Sequence, residues 1–106
     1  VKLGIVLNTR EPETVWNAFR LGVAALKNND GAAVFLLGKG VECESIQDEN
    51  FDVQNELNSF KENGGRILAC GTCLYSRKQQ TRVCSVSSMD DLLALINESE
   101  KLISFG

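Results

Sequence analysis

Gly64-Gly65-Arg66-Ile67-Leu68-Ala69-Cys70-Gly71-Thr72-Cys73 opens with a helix stop, runs on as a short apolar strand and ends in a loop bearing two thiols. Paired glycines suit the left-handed backbone that commonly closes a helix. Arg66–Cys70 is apolar without alternation after its first residue, as expected of a strand buried on both faces of a parallel sheet. Cys70 closes that strand, and Cys73 falls in the first turn of the helix expected to follow.

The flanking sequence repeats the pattern. Lys2–Leu7 and residues 32–37 are two more continuous apolar runs. Between them, Pro12 suits a first helical turn, where its missing N–H is not needed. Val15, Phe19, Gly22, Val23 and Leu26 then share one helical face, with Trp16 and Leu21 off that stripe. Asn28-Asn29-Asp30-Gly31 stops the helix. Gly38-Lys39-Gly40 breaks the second strand and opens a predicted loop over 38–49, with Cys43 exposed near its middle. A second helix is expected over 52–63, with Val53, Leu57 and Phe60 inward. Beyond Cys73 the sequence predicts a short helix over 72–79 and a fourth strand over 82–86. Ser88-Met89-Asp90-Asp91 is a capping box with Asp in place of Glu, and opens a helix with Met89, Leu92, Leu93 and Ile96 as its apolar side. Lys101–Phe105 is the last strand. Strands alternating with helices imply an α/β fold, with a five-stranded parallel sheet covered on both faces.

The 106 residues fit one domain, 1–106, able to bury a core without disulfides or a metal. A net charge of −3 with no basic run argues against nucleic acid or an anionic membrane as partner. No apolar stretch approaches the ~20 residues of a membrane span. The opening run is too short for a signal peptide and lacks its cleavage region. The four cysteines, in a chain with ample apolar runs, predict a cytoplasmic protein with reduced thiols. The absence of histidine removes Cys–His dyads, Ser–His–Asp triads and imidazole metal ligands. Gly38-Lys39-Gly40 lacks the full phosphate-loop pattern, and no dinucleotide fingerprint follows the first strand. Asp90-Asp91 is a helix N-terminal charge feature. No cofactor and no resident metal is expected.

In open parallel sheets, ligands gather beyond the carboxyl ends of the strands. The segments reaching that edge are 8–10, 38–43, 70–73 and 85–88, so Asn8, Thr9, Arg10, Cys43, Gly71 and Thr72 are candidate lining residues around Cys70 and Cys73. A thiolate at a helix N-terminus has a lowered pKa, which is the expectation for this pair. Arg10, Arg77, Lys78 and Arg82 are candidate cationic neighbours. Cys84, within a predicted strand, reads as packing. Cys43 stays open between packing and reactivity, since Glu42 and Glu44 would raise its pKa.

Ile67-Leu68-Ala69-Cys70-Gly71-Thr72-Cys73-Leu74-Tyr75-Ser76-Arg77, with Cys84-Ser85-Val86-Ser87-Ser88-Met89-Asp90-Asp91-Leu92 downstream, resembles the DsrE/DsrF-like (YchN-like) family. The resemblance implies a three-layer α/β/α sandwich and assembly as a homotrimer or homohexamer. It also implies sulfur relay as a cysteine persulfide between donor and acceptor proteins. Cys70 matches the family's sulfur-carrying cysteine. Cys73 goes beyond that single-cysteine pattern, and could release the sulfur by attack or serve as an alternate acceptor. Two other readings stand beside this one. Cys70 and Cys73 could cycle as a dithiol/disulfide oxidoreductase, or all four thiols could form a structural metal site.

Overall fold

A computed structural model describes residues 2–106. The chain runs β1 (Lys2–Leu7), α1 (Pro12–Lys27), β2 (Gly31–Leu36), a 3₁₀ helix (Gly38–Ser45), α2 (Val53–Glu62), β3 (Arg66–Cys70), α3 (Gly71–Ser76), β4 (Ser85–Ser87), α4 (Met89–Glu98) and β5 (Lys101–Phe105). The strands form one parallel sheet in the order β4-β3-β2-β1-β5. The register aligns Ile5, Val34 and Ile67 in one row and Leu7, Leu36 and Ala69 in the next. All six are buried on one face, and Ala33 and Phe35 are buried on the other, as continuous apolar strands require when both faces are covered.

Topology sorts the helices. The steps β1 to β2 to β3 to β4 all advance in one direction, so right-handed crossovers put α1, α2 and α3 on the same face. The return from β4 to β5 crosses the whole sheet and puts α4 on the other face. A Cβ at Gly4 would meet Ser99, just past α4, so the Gly4 row faces that side.

Local chemistry sets the helix ends. Pro12 is the first residue of α1, and the carboxylate of Glu11 accepts from the N–H groups of Glu13 and Thr14 at 3.0 and 2.9 Å. Ser88 and Asp91 close a reciprocal capping box on α4, with 2.8 Å from Ser88 N to Asp91 and 3.3 Å from Asp91 N to Ser88 Oγ.

Four expectations change. The predicted loop after β2 is a 3₁₀ helix over its first eight residues, because Val41 and Cys43 turn inward and are fully buried. The helix after Cys70 stops at Ser76. Lys78 takes a left-handed φ of 51°, and the N–H groups of Lys78 and Gln79 return to the carbonyls of Tyr75 and Leu74, as in a Schellman stop. β4 is only Ser85–Ser87, since the residues before it are drawn to Glu44: Arg82 N donates to its carboxylate at 3.0 Å, as does the Thr81 hydroxyl. Cys84 therefore lies in a loop. Finally, α4 is rotated from the expected face. Leu95 is its buried residue, whereas Met89, Leu93 and Ile96 are 57%, 56% and 39% exposed. The helix carries apolar residues on two sides, so periodicity alone does not choose between them.

The two apolar residues off the α1 stripe are not free. Trp16 is half-buried, 5.2 Å from the Phe51 ring, with the Arg20 guanidinium 4.2 Å above it, and Leu21 packs against the core.

Candidate functional site: a thiol pair at the carboxyl edge of the sheet

β3 ends at Cys70, and α3 begins on the next residue. Cys70 is the N-cap of α3, and its Sγ accepts from the backbone N–H of Cys73 at 3.4 Å. Cys73, one turn on, has its own Sγ against the N–H of Gly38 at 3.3 Å. Gly38 holds a left-handed φ of 55°, and Asn8 Oδ1 occupies the space a Cβ there would need. Asn8, Gly38, Cys73 and Cys70 thus form a chain of contacts across the ends of β1, β2 and β3.

Ion pairs frame this edge. Glu42 of the 3₁₀ helix takes Arg10 at 2.9 Å and Arg77 at 3.3 Å. Arg77 also donates to the carbonyl of Cys73 at 3.4 Å. Arg10 and Arg77 are thus both paired with Glu42 rather than with a sulfur. Thr9 accepts from Glu11 N at 3.1 Å and acts in the α1 entry turn. Gly71 is half-buried, with Val86 3.2 Å from where its Cβ would stand, and Thr72 is exposed.

The expected lowering of the Cys70 pKa is not what the structure gives. Burial pushes the Cys70 thiol up, and a hydrogen bond with the Cys73 thiol adds to this; the N–H of Cys73 opposes both. Cys70 is 3% exposed, and α3, at six residues, is too short for a strong dipole. Cys43 is not an exposed lining residue: it is fully buried, and burial, then Cys84 and Glu44, push its thiol up. Cys84 is pushed up to about 12 by burial, Thr81 opposing and the charge of Glu44 adding. Its Sγ donates to Glu44 at 3.5 Å.

These raised thiols make stability depend on pH with a definite sign. The folded chain keeps protons that the unfolded chain releases near the ordinary thiol value of 9.0. Their contribution is complete below 9.0 and is lost as pH rises toward the folded values, about 12 for Cys84. The urea midpoint should fall between about pH 8 and pH 11, and fall less in Cys84→Ser. A midpoint flat over that range in both proteins would contradict it.

All four cysteines are free. They occupy two places, Cys70 with Cys73 and Cys43 with Cys84 beside Glu44. Among the described residues, no three His, Cys, Asp or Glu side chains group to hold a metal. A cavity of about 550 Å³ lies between α2, the end of the 3₁₀ helix and the loop before β4, lined by Glu44, Gln54, Leu57, Lys78, Arg82 and Val83 among others. Neither Cys70 nor Cys73 lines it.

Glu42 and Glu44 organise both thiol groups, a role the sequence reading missed. The available signal was their alternation around Cys43 in Glu42-Cys43-Glu44, which places one carboxylate toward each group.

A parallel α/β sandwich with a cysteine where β3 meets α3 is the architecture of this protein. The chain belongs to the DsrE/DsrF-like family, whose sequence model matches residues 2–105. It is 28% identical over 100 residues to MJ0989, an uncharacterized protein of Methanocaldococcus jannaschii, covering 88% of each chain. Its fold is that of BT1422, a conserved protein of unknown function from Bacteroides thetaiotaomicron. The TM-score is 0.77 at 22% identity, over 98% of this chain and 94% of the other. Among the described residues, no helix is long and apolar enough to cross a membrane.

Proposed function

We propose that this chain is a small sulfur carrier that holds sulfane sulfur as a persulfide on Cys70, with Cys73 assisting. One observation carries the reading: in a DsrE/DsrF-like chain, the strand-end Cys70 accepts from the N–H of a second cysteine one turn later, Cys73, whose own sulfur accepts from Gly38 N–H at the carboxyl edge of the sheet. The chemistry balances without a further reagent. A cysteine thiolate attacks the outer sulfur of a donor persulfide, R–S–SH. A new S–S bond forms, the donor's S–S bond breaks, and R–S⁻ leaves, while the proton stays on the transferred sulfur.

The parent protein, incubated with glutathione persulfide and measured by intact mass, should gain one sulfur atom. The double variant Cys70→Ser/Cys73→Ser should gain none. A parent that takes up no sulfur sinks the carrier reading. A second reading, a dithiol/disulfide oxidoreductase, is favoured by two free thiols one helical turn apart, the N–H of Cys73 on the sulfur of Cys70. It would show as a Cys70–Cys73 disulfide formed with glutathione disulfide and reduced again by a dithiol.

We also propose that the protein works in the cytoplasm, where its four free thiols would stay reduced, and that it assembles as a homotrimer or homohexamer. The exposed row Met89, Leu93 and Ile96 on α4 supports assembly, because apolar side chains clustered on one surface favour contact with another chain. Light scattering at micromolar concentration should give a mass three or six times that of the chain. A monomer mass removes the proposal.

A further inference from the structure

The two thiols of the site are not equivalent, and their order of exposure is the reverse of their order along the chain. Cys70 is 3% exposed, closed in by the sheet and by the turn of α3 that folds back over it. Cys73 is half-buried and stands on that turn, on the solvent side of Cys70. Its sulfur accepts from the N–H of Gly38 at 3.3 Å, which holds it at the carboxyl ends of β2 and β3. Its carbonyl accepts from the Arg77 guanidinium, which pairs with Glu42.

We infer that Cys73 is the outward thiol that meets the sulfur donor, and that Cys70 is the inward thiol that keeps the sulfur. This rests on the carrier reading for its chemistry, but the order of the thiols is a property of the fold. Sulfur first passes from the donor to Cys73, with R–S⁻ leaving. The Cys70 thiolate then attacks the outer sulfur of Cys73–S–SH. The bond to Cys73 breaks, Cys73 is regenerated as a thiolate, and Cys70–S–SH forms, so each step exchanges one S–S bond for another. Storage at Cys70 protects the persulfide because competing thiols must attack through a buried position.

Two measurements test the order. In the parent protein, a short pulse of iodoacetamide followed by peptide mapping should modify Cys73 about tenfold faster than Cys70, since rate follows exposure and thiolate fraction. In timed loading with glutathione persulfide, Cys73→Ser should load about tenfold more slowly than the parent. Cys70→Ser should lose its sulfur to added thiol about tenfold sooner than the parent. Modification of Cys70 first, or parent-rate loading of Cys73→Ser, overturns the inference. The pulse experiment needs no variant and so does not depend on Cys70→Ser folding. If the parent loads no sulfur yet Cys73 is alkylated first, the carrier reading fails and the order of the thiols stands.

Discussion

Phe60→Ala should lower the unfolding free energy by about 3–5 kcal/mol, the range for removing a large buried aromatic side chain. That is a large part of the ~5–15 kcal/mol that holds a domain of this kind together. The ring is fully buried and meets Phe19 edge-on at 5.7 Å and 62°. Two glycines make room for it. A Cβ at Gly22 would fall 2.6 Å from the ring, and one at Gly65 would fall 2.4 Å away. Gly22 thus lets α1 lie close to α2, while Gly65 lets the chain leave α2 and enter β3 across the face of the ring. Once the ring is gone, neither glycine has a side chain to move into the space, so the cavity stays open and the cost lies high in the range. Urea denaturation should show a lower midpoint at an unchanged slope. A loss below about 1 kcal/mol, the centre of the distribution for point mutants, would mean that the site collapses around the missing ring.

Phe60 also shows which parts of the fold were legible in the sequence. Its place on the inward face of α2, with Val53 and Leu57, follows from helical spacing alone, and all three are buried. The same local logic holds for Pro12 at the start of α1, the Ser88–Asp91 capping box and the bounds of β1, β3 and β5. What escaped it depends on contacts between distant residues. Glu44 binds Thr81, Arg82 and Cys84 from 37 to 40 positions away, and this takes Arg82 and Cys84 out of the predicted fourth strand. Cys43 lies in a glycine-rich stretch that reads as loop, yet it is buried with Val41 once the 3₁₀ helix packs down. The face of α4 depends on how the crossover from β4 to β5 seats it, which helical periodicity does not contain. At the site, chain position brought Cys70 and Cys73 together correctly. Their unequal burial, and the pairing of both arginines with Glu42, are set by the 3₁₀ helix and could be seen only in three dimensions.

Gly40→Ala should cost about 1–3 kcal/mol, as overpacking does, and should also change the reactivity of Cys73. The added Cβ would stand 2.1 Å from the carbonyl oxygen of Leu7 and 3.0 Å from its carbonyl carbon. Both are backbone atoms, so no rotamer change relieves the clash. That oxygen also accepts the N–H of Leu37 at 3.0 Å, and Gly40 N donates to Leu37 O at 2.9 Å. The start of the 3₁₀ helix must therefore move away from the end of β1. Gly38 lies inside the displaced turn, and its N–H is the donor facing Cys73 Sγ at 3.3 Å. Moving that donor changes the surroundings of the Cys73 sulfur, so the rate of Cys73 alkylation should change. Gly64→Ala is the control. A Cβ there meets nothing within 4 Å, but its φ of 96° strains any other residue, so stability should fall by ~1 kcal/mol with Cys73 unaffected. Denaturation and pulsed alkylation on the same two variants separate the effects. If Gly40→Ala is destabilised while Cys73 reacts at the parent rate, the Gly38 N–H is not what sets the reactivity of that thiol, because the turn carrying it has moved and the sulfur has not responded.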